Sequence, residues 1–241
     1  MQIVNQNSDA IASNLFHVKQ SIADAAHACT RSSDAIRLIA VSKGHSKEAI
    51  AATIAAGQKD FGESTTQDAL PKVSQLANPS IDWHFIGHLQ TNKARFIPGN
   101  FSWLHSLDSL ELARKLSRHA GEQSATVNIL IEVNVSRDPK KHGLTAEALP
   151  DFIEKYLKED FPALPLRGLM TIAPFDVPEK DIRACFAALR RLRDDCRQRF
   201  GLKNFSELSM GMSGDYIEAI KEGATMVRVG TAIFGERDYS K

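Results

Sequence analysis

The feature that most constrains this chain is a rhythm. Eight short apolar runs recur, and helical patterns separate most of them. The runs are 36–43 (IRLIAVSK), 60–63 (DFGE), 82–88 (DWHFIGH), 103–108 (WLHSLD), 127–135 (VNILIEVNV), 165–172 (PLRGLMTI), 206–212 (SELSMGM) and 226–234 (MVRVGTAIF). "SKEAIAATIAAG" precedes the second run, "SLELARKLSRHAG" the fifth and "DYIEAIKEGA" the eighth. Strands apolar on both faces, alternating with helices, imply a parallel sheet, because the crossover helices must cover it. Gly57, Gly121 and Gly223 stand where helix C-caps are expected. Ahead of the first run, Ser8 reads as an N-cap, and Ile11, Leu15, Val18 and Ile22 recur at helical spacing. One extra N-terminal helix followed by eight β/α units predicts a single (β/α)8 TIM barrel over residues 1–241. An open doubly wound sheet is the rival. No long Gly/Pro/Ser-rich linker divides the chain, and "EDFPALPLRG" leads straight into a strand.

Composition narrows the class. A hydrophobic content of 43% and a charged content of 24% are those of a globular protein with a substantial core. A net charge of +1 gives no broad attraction to nucleic acid or to an anionic membrane. No run approaches the ~18 apolar residues of a membrane span, and the N-terminus lacks the basic start of a signal peptide. Cys29, Cys185 and Cys196 have no metal spacing and no CxxC motif, which fits free thiols in a reducing compartment. A cytoplasmic protein is expected. It is expected to be a monomer, since no exposed apolar stripe argues for an obligate dimer.

In a closed barrel the chemistry sits at the C-terminal ends of the strands. The first strand ends in Ser42-Lys43, an odd place for a lysine unless its amine is wanted. The last two strand ends carry small residues: "SMGMSGDYIEAI" runs into a helix, and Gly230 and Thr231 follow the eighth strand. Such turns expose backbone N–H groups, and phosphate in barrels is often held there. Arg228, two residues before Gly230, faces the same way along its strand. A lysine at one strand end and a phosphate site at another suit a Schiff base with a phosphorylated aldehyde. Pyridoxal 5′-phosphate (PLP) combines aldehyde, phosphate and ring. A class I aldolase would also place a Schiff-base lysine in such a barrel, more naturally on a later strand.

The motifs resemble those of the YggS/PROSC-type PLP homeostasis proteins over nearly the whole chain. "AVSK", "FGE", "WHFIGHLQTNK", "HSLDS", "VNVS" with Lys141 and Gly143, "GLMTI" and "LSMGMSGDYIEAIKEGATMVRVGTAIFG" come in that family's order. The resemblance implies a barrel like the N-terminal domain of alanine racemase, with PLP held as a Schiff base on Lys43. It implies phosphate contacts from Ser213, Gly230 and Thr231, Arg228 near the pyridine nitrogen, and Met170 and Ser209 lining the ring. One departure stands out. Where the family usually has FGEN followed later by VQE, this chain reads "FGESTTQD", with Ser64 for Asn and Asp68 for Glu. Ser64 is kept as a cofactor contact, shorter than the usual side chain.

Two function classes follow. The first is a non-catalytic carrier that buffers or delivers PLP, meeting PLP-dependent apo-enzymes transiently. The second is a PLP-dependent amino-acid racemase. A two-base racemase needs an acid/base group on each face of its substrate. Alanine racemase takes its second base, a tyrosine, from a C-terminal domain of the partner subunit. This chain ends six residues after its last barrel motif and has Tyr156, Tyr216 and Tyr239. Tyr156 and Tyr216 fall in helical patterns, where structural roles are expected. The carrier is the favoured expectation. A metal-dependent hydrolase would use His84, His88, His105 and Asp108, but no metal is expected, because lone strand histidines are more often packed and hydrogen-bonded. Lys93 and Lys141 read as solvated lysines, with Lys141 alternatively a second amine near the mouth.

Overall fold

A computed structural model describes residues 2–236. The eight runs form β1 (Arg37–Val41), β2 (Asp60–Glu63), β3 (Asp82–Phe85), β4 (Trp103–Leu107), β5 (Asn128–Glu132), β6 (Leu166–Met170), β7 (Glu207–Ser209) and β8 (Met226–Val229). They pair in parallel and in sequence order, and β8 returns to β1 with Leu38 opposite Val227 and Ala40 opposite Val229. The barrel is closed, and the open sheet is excluded.

The helices are α1 (Gln2–Ala28), α2 (Lys47–Ala55), α3 (Thr66–Gln75), α4 (Leu110–Glu122), α5 (Leu149–Glu159), α6 (Glu179–Arg199), α7 (Tyr216–Lys221) and α8 (Thr231–Phe234). A six-residue 3₁₀ segment, Thr91–Phe96, stands in for a helix between β3 and β4. The caps are local and polar. The hydroxyls of Ser46, Thr65 and Ser109 accept the N–H groups of Ala49, Asp68 and Leu112 at the starts of α2, α3 and α4. Cys185 and Cys196 are both buried on α6, as packing residues.

Helix α1 buries Ile11, Leu15, Val18 and Ile22 and packs against α2, α7 and α8. The Asn14 amide donates to the Ile233 carbonyl, and the Arg31 guanidinium donates to the carbonyls of Ile220 and Ala224. The extra helix thus braces the end of the chain that carries β8.

Three expectations are corrected. Ser8 lies inside α1, which starts at Gln2; residues 2–7 hold no Gly or Pro to stop the helix from extending back. Gly121 lies in the last turn of α4 rather than after it. Ser124 takes the positive φ of 50°, and the Ala125 N–H closes the turn on the Ala120 carbonyl. Residues 231–234, read as strand, form α8, with the N–H groups of Ile233 and Phe234 donating to the Gly230 carbonyl.

Candidate functional site

Strand parity decides which side chains reach the barrel interior. On β1, Leu38 and Ala40 join the helix-facing core while Ile39 joins an inner cluster with Trp103, Leu130, Met170 and Met226. The same alternation carries Lys43 inward, just past the strand. On β8, Val227 and Val229 face the helices, and Met226 and Arg228 face in. The C-terminal mouth opens into a cavity of about 350 Å³ whose wall includes Lys43, Ser64, His88, Glu132, Lys141, Thr171, Met212 and Arg228.

Behind Lys43, on the helix-facing side, lies a buried polar anchor. The Ser42 hydroxyl donates to Glu63 Oε1 at 2.6 Å. Lys72 Nζ, from α3, donates to Glu63 Oε1 at 2.9 Å, to the Ser42 carbonyl at 3.0 Å and to Asp68 Oδ2 at 2.8 Å. Asp68 in turn accepts the Gly44 N–H at 3.0 Å. The residues on either side of Lys43 are therefore tied to β2 and α3. Glu63 is fully buried and its Oε2 has no hydrogen-bond partner. Burial pushes its carboxyl up, against the pull of Ser42 and Lys72.

A second polar chain runs through the barrel interior. Arg228 donates to Ser209 Oγ at 2.7 Å and to the Thr171 carbonyl at 3.0 Å. Ser209 Oγ meets His105 Nδ1 at 2.8 Å, His105 Nε2 meets His84 Nδ1 at 2.9 Å, and His84 Nε2 meets Asp60 Oδ1 at 3.1 Å. One assignment satisfies every link: each group donates toward Asp60, and both imidazoles are neutral. Burial agrees with it, lowering His84 and, more strongly, His105. Arg228 is lowered to about 10, chiefly by burial, and keeps its charge at neutral pH.

Glu132 ends β5 in the cavity wall. Burial, with Asp108 nearby, raises its carboxyl to about 7, and Arg228 acts in the opposite sense. An unfolded chain ionises this group near 4.5, while the folded one holds its proton until about 7. The unfolded state then binds fewer protons across that window, so stability falls as pH rises through it. Glu132→Gln is expected to remove this slope and to raise stability at pH 8 by up to about 3 kcal/mol. Denaturant titrations at pH 5 and pH 8 check it; equal gains at both would contradict the assignment.

Gly87 sets how closely the β2 and β3 loops approach. A Cβ there would stand 2.1 Å from the Ser64 carbonyl oxygen. Gly87→Ala is expected to cost about 1–3 kcal/mol and to push Ser64 and His88 apart. Thermal unfolding measures the first effect, and a weakened grip on any ligand in the cavity reports the second.

The expected site residues divide between the cavity and its surroundings. Lys43, Ser64 and Arg228 line the cavity. Ser213 and Gly230 meet beside it: Ser213 Oγ accepts the Gly230 N–H at 3.2 Å and the Ala232 N–H at 3.5 Å. Thr231 is exposed at the start of α8. Met170 and Ser209 are buried in the barrel interior and are not in the cavity wall, which Thr171 supplies instead. The four metal candidates separate as well. His84 and His105 join the interior chain, while His88 and Asp108 pair at the mouth, 3.5 Å apart. Lys141 also lines the cavity, and its amine donates to the carbonyls of Ile172 and Ala173. Lys93 lies over the Phe96 ring. Sequence reasoning gave no role to Glu63, Lys72, Glu132 or His142. The one available signal was a carboxylate closing each of two buried runs, "DFGE" and "ILIE".

Barrel and site together define a class: a closed (β/α)8 fold with a half-buried lysine and a buried arginine at its C-terminal mouth. The sequence matches the family described as "Alanine racemase, N-terminal domain" over residues 7–238, and the chain belongs to that family. The "Pyridoxal phosphate homeostasis protein" of Pseudomonas aeruginosa is 43% identical over 229 residues, covering 95% of this chain and 96% of that one. The structure of PipY from Synechococcus elongatus with PLP bound is similar, with a TM-score of 0.82 and 36% identity, covering 93% of this chain and 100% of that chain. Alanine racemase from Corynebacterium glutamicum shares the fold, with a TM-score of 0.69 at 18% identity over 96% of this chain and 62% of that one.

Proposed function

We propose that the protein binds PLP and serves intracellular PLP homeostasis, buffering or delivering the cofactor without turning over a substrate. The observation that carries this reading is the placement of Lys43. Its side chain enters the same cavity as Arg228, while the Ser213–Gly230 cluster lies on the two adjoining loops. The residues fit the cofactor's chemistry. The aldehyde calls for a primary amine, which Lys43 supplies. The phosphate calls for hydrogen-bonding groups on small residues at the loops after β7 and β8, where Ser213, Gly230 and Thr231 lie together. Ser64 lines the same cavity from the β2 loop and would meet the ligand there. Met170 and Ser209 would act from below the cavity, Met170 by packing in the inner cluster and Ser209 by orienting Arg228.

When bound, PLP supplies an electrophilic carbon and an electron-withdrawing ring. The chain's own residues limit how far that ring is used. Arg228 presents N–H donors and a positive charge that the chain to Asp60 holds in place. A cation there opposes protonation of a ring nitrogen facing it. Neither tyrosine among the described residues lines the cavity. Tyr156 is buried and donates to the Leu164 carbonyl at 2.6 Å, and Tyr216 is buried on α7. Tyr239 lies outside the described residues.

The test mixes the PLP-loaded protein with a PLP-dependent enzyme stripped of its cofactor. Recovery of that enzyme's activity, with no racemisation across a panel of amino acids, is the expected result. Sustained racemase turnover would replace the carrier with an enzyme. Lys141 enters as a second amine on the exit path. Lys141→Ala should slow the transfer, and an unchanged rate would remove that role.

A further inference from the structure

Three side chains at the cavity mouth, none of them among those assigned to PLP, form a cluster. His88 follows β3, Asp108 follows β4, and His142 lies between β5 and α5. One ligand atom from each lies within 4.8 Å of the others. His88 Nδ1 is 3.5 Å from Asp108 Oδ2. Two atoms each roughly 2.0–2.1 Å from a tetrahedral zinc ion stand about 3.4 Å apart, so that edge is already formed. The His88 and His142 rings stack, with centroids 3.8 Å apart and planes 11° from parallel. His142 is exposed, so its ring has room to turn a nitrogen toward the same point.

We propose that His88, Asp108 and His142 bind a divalent transition-metal ion of the zinc class, and that the bound ion clamps three loops across the cavity mouth. Two imidazoles and one carboxylate are a donor set that such ions accept, leaving a fourth position for water. The loop that carries His142 is preorganised. The Asn134 amide donates to the carbonyls of Asp138 and Lys141, and Gly143, with φ of 102°, packs against Glu132 so closely that a Cβ would stand 2.9 Å from Glu132 Cγ. The adjacent amine of Lys141 is drawn onto the carbonyls of Ile172 and Ala173. The metal-hydrolase grouping read from the sequence included His84 and His105, which the barrel interior takes; His142 takes their place.

His88 and His142 also line the cavity that holds Lys43, so the clamp would slow passage of PLP. That consequence rests on the PLP reading of the cavity, whereas metal binding does not. The experiment therefore has two arms. Protein stripped of PLP is titrated with zinc against a chromophoric chelator. One equivalent is expected, weakened roughly tenfold or more by His142→Ala and by Asp108→Asn. PLP release from the loaded protein is then timed with and without zinc. Zinc is expected to slow it severalfold in the parent chain and to leave the rate of the His142→Ala protein the same in both conditions. Absence of one-equivalent binding, or variants that bind zinc as tightly as the parent chain, overturns the site. Binding with unaltered release overturns the clamp. Zinc uptake by a protein that takes up no PLP upholds the metal site and removes the cavity reading together with the clamp.

Discussion

The Lys43→Ala protein is expected to purify without PLP and to bind added PLP at least about a hundredfold more weakly, a loss of about 3 kcal/mol. The reason is the one bond that only a primary amine can make to the cofactor's aldehyde. What is left, the N–H groups near Ser213 and Gly230 and the Arg228 guanidinium, contacts the ligand without covalency. Lys43→Arg separates charge from nucleophilicity. It keeps a cation at the strand end but offers no free amine, because guanidinium stays protonated. It should therefore fail as fully as alanine. Retention by the arginine variant, read as visible absorbance after dialysis, would mean that Lys43 acts only as a charge.

The second large effect is on stability. Lys72→Met is expected to cost about 3–5 kcal/mol, because it leaves the fully buried Glu63 carboxylate without its cation. For a chain of this size that corresponds to a fall in melting temperature of roughly 10 °C. The deficit has a pH signature. Glu63 is already pushed up by burial, and losing Lys72 pushes it further. A protonated carboxyl tolerates burial, so the deficit is largest at pH 8 and shrinks as pH falls toward the unfolded carboxylate range. Adding Glu63→Leu to Lys72→Met should restore much of the loss, since apolar replacement of both partners is often neutral. A double variant as unstable as the single one would show that Lys72 matters through its bonds to Ser42 and Asp68 instead. Because this anchor flanks Lys43, Lys72→Met should also loosen the grip on PLP.

The strands were legible because each is covered on both faces, which leaves uninterrupted apolar runs such as "NILIE". Lys43 was legible because a lysine ending such a run needs a reason. Helix ends were less so. Ser8 has the chemistry of a cap but no breaker before it, and Ser124 adopts a left-handed backbone that its residue type does not announce. "TAIF" has strand-like composition yet forms α8, since Gly230 turns the chain at the rim. The polar interior was illegible for a different reason. His105 meets Ser209 across 104 residues, and Lys72 meets Ser42 from a separate helix. Such pairings exist only once the elements that carry them have packed together. The same holds for His88, Asp108 and His142, which come from three different loops.

Retention of PLP depends on covalent capture at a single amine. Borohydride reduction of the purified protein, followed by peptide mass mapping, tests this most directly. The predicted result is a phosphopyridoxyl group on the peptide that contains Lys43. A label confined to Lys141, or no label after incubation with excess PLP, would contradict it.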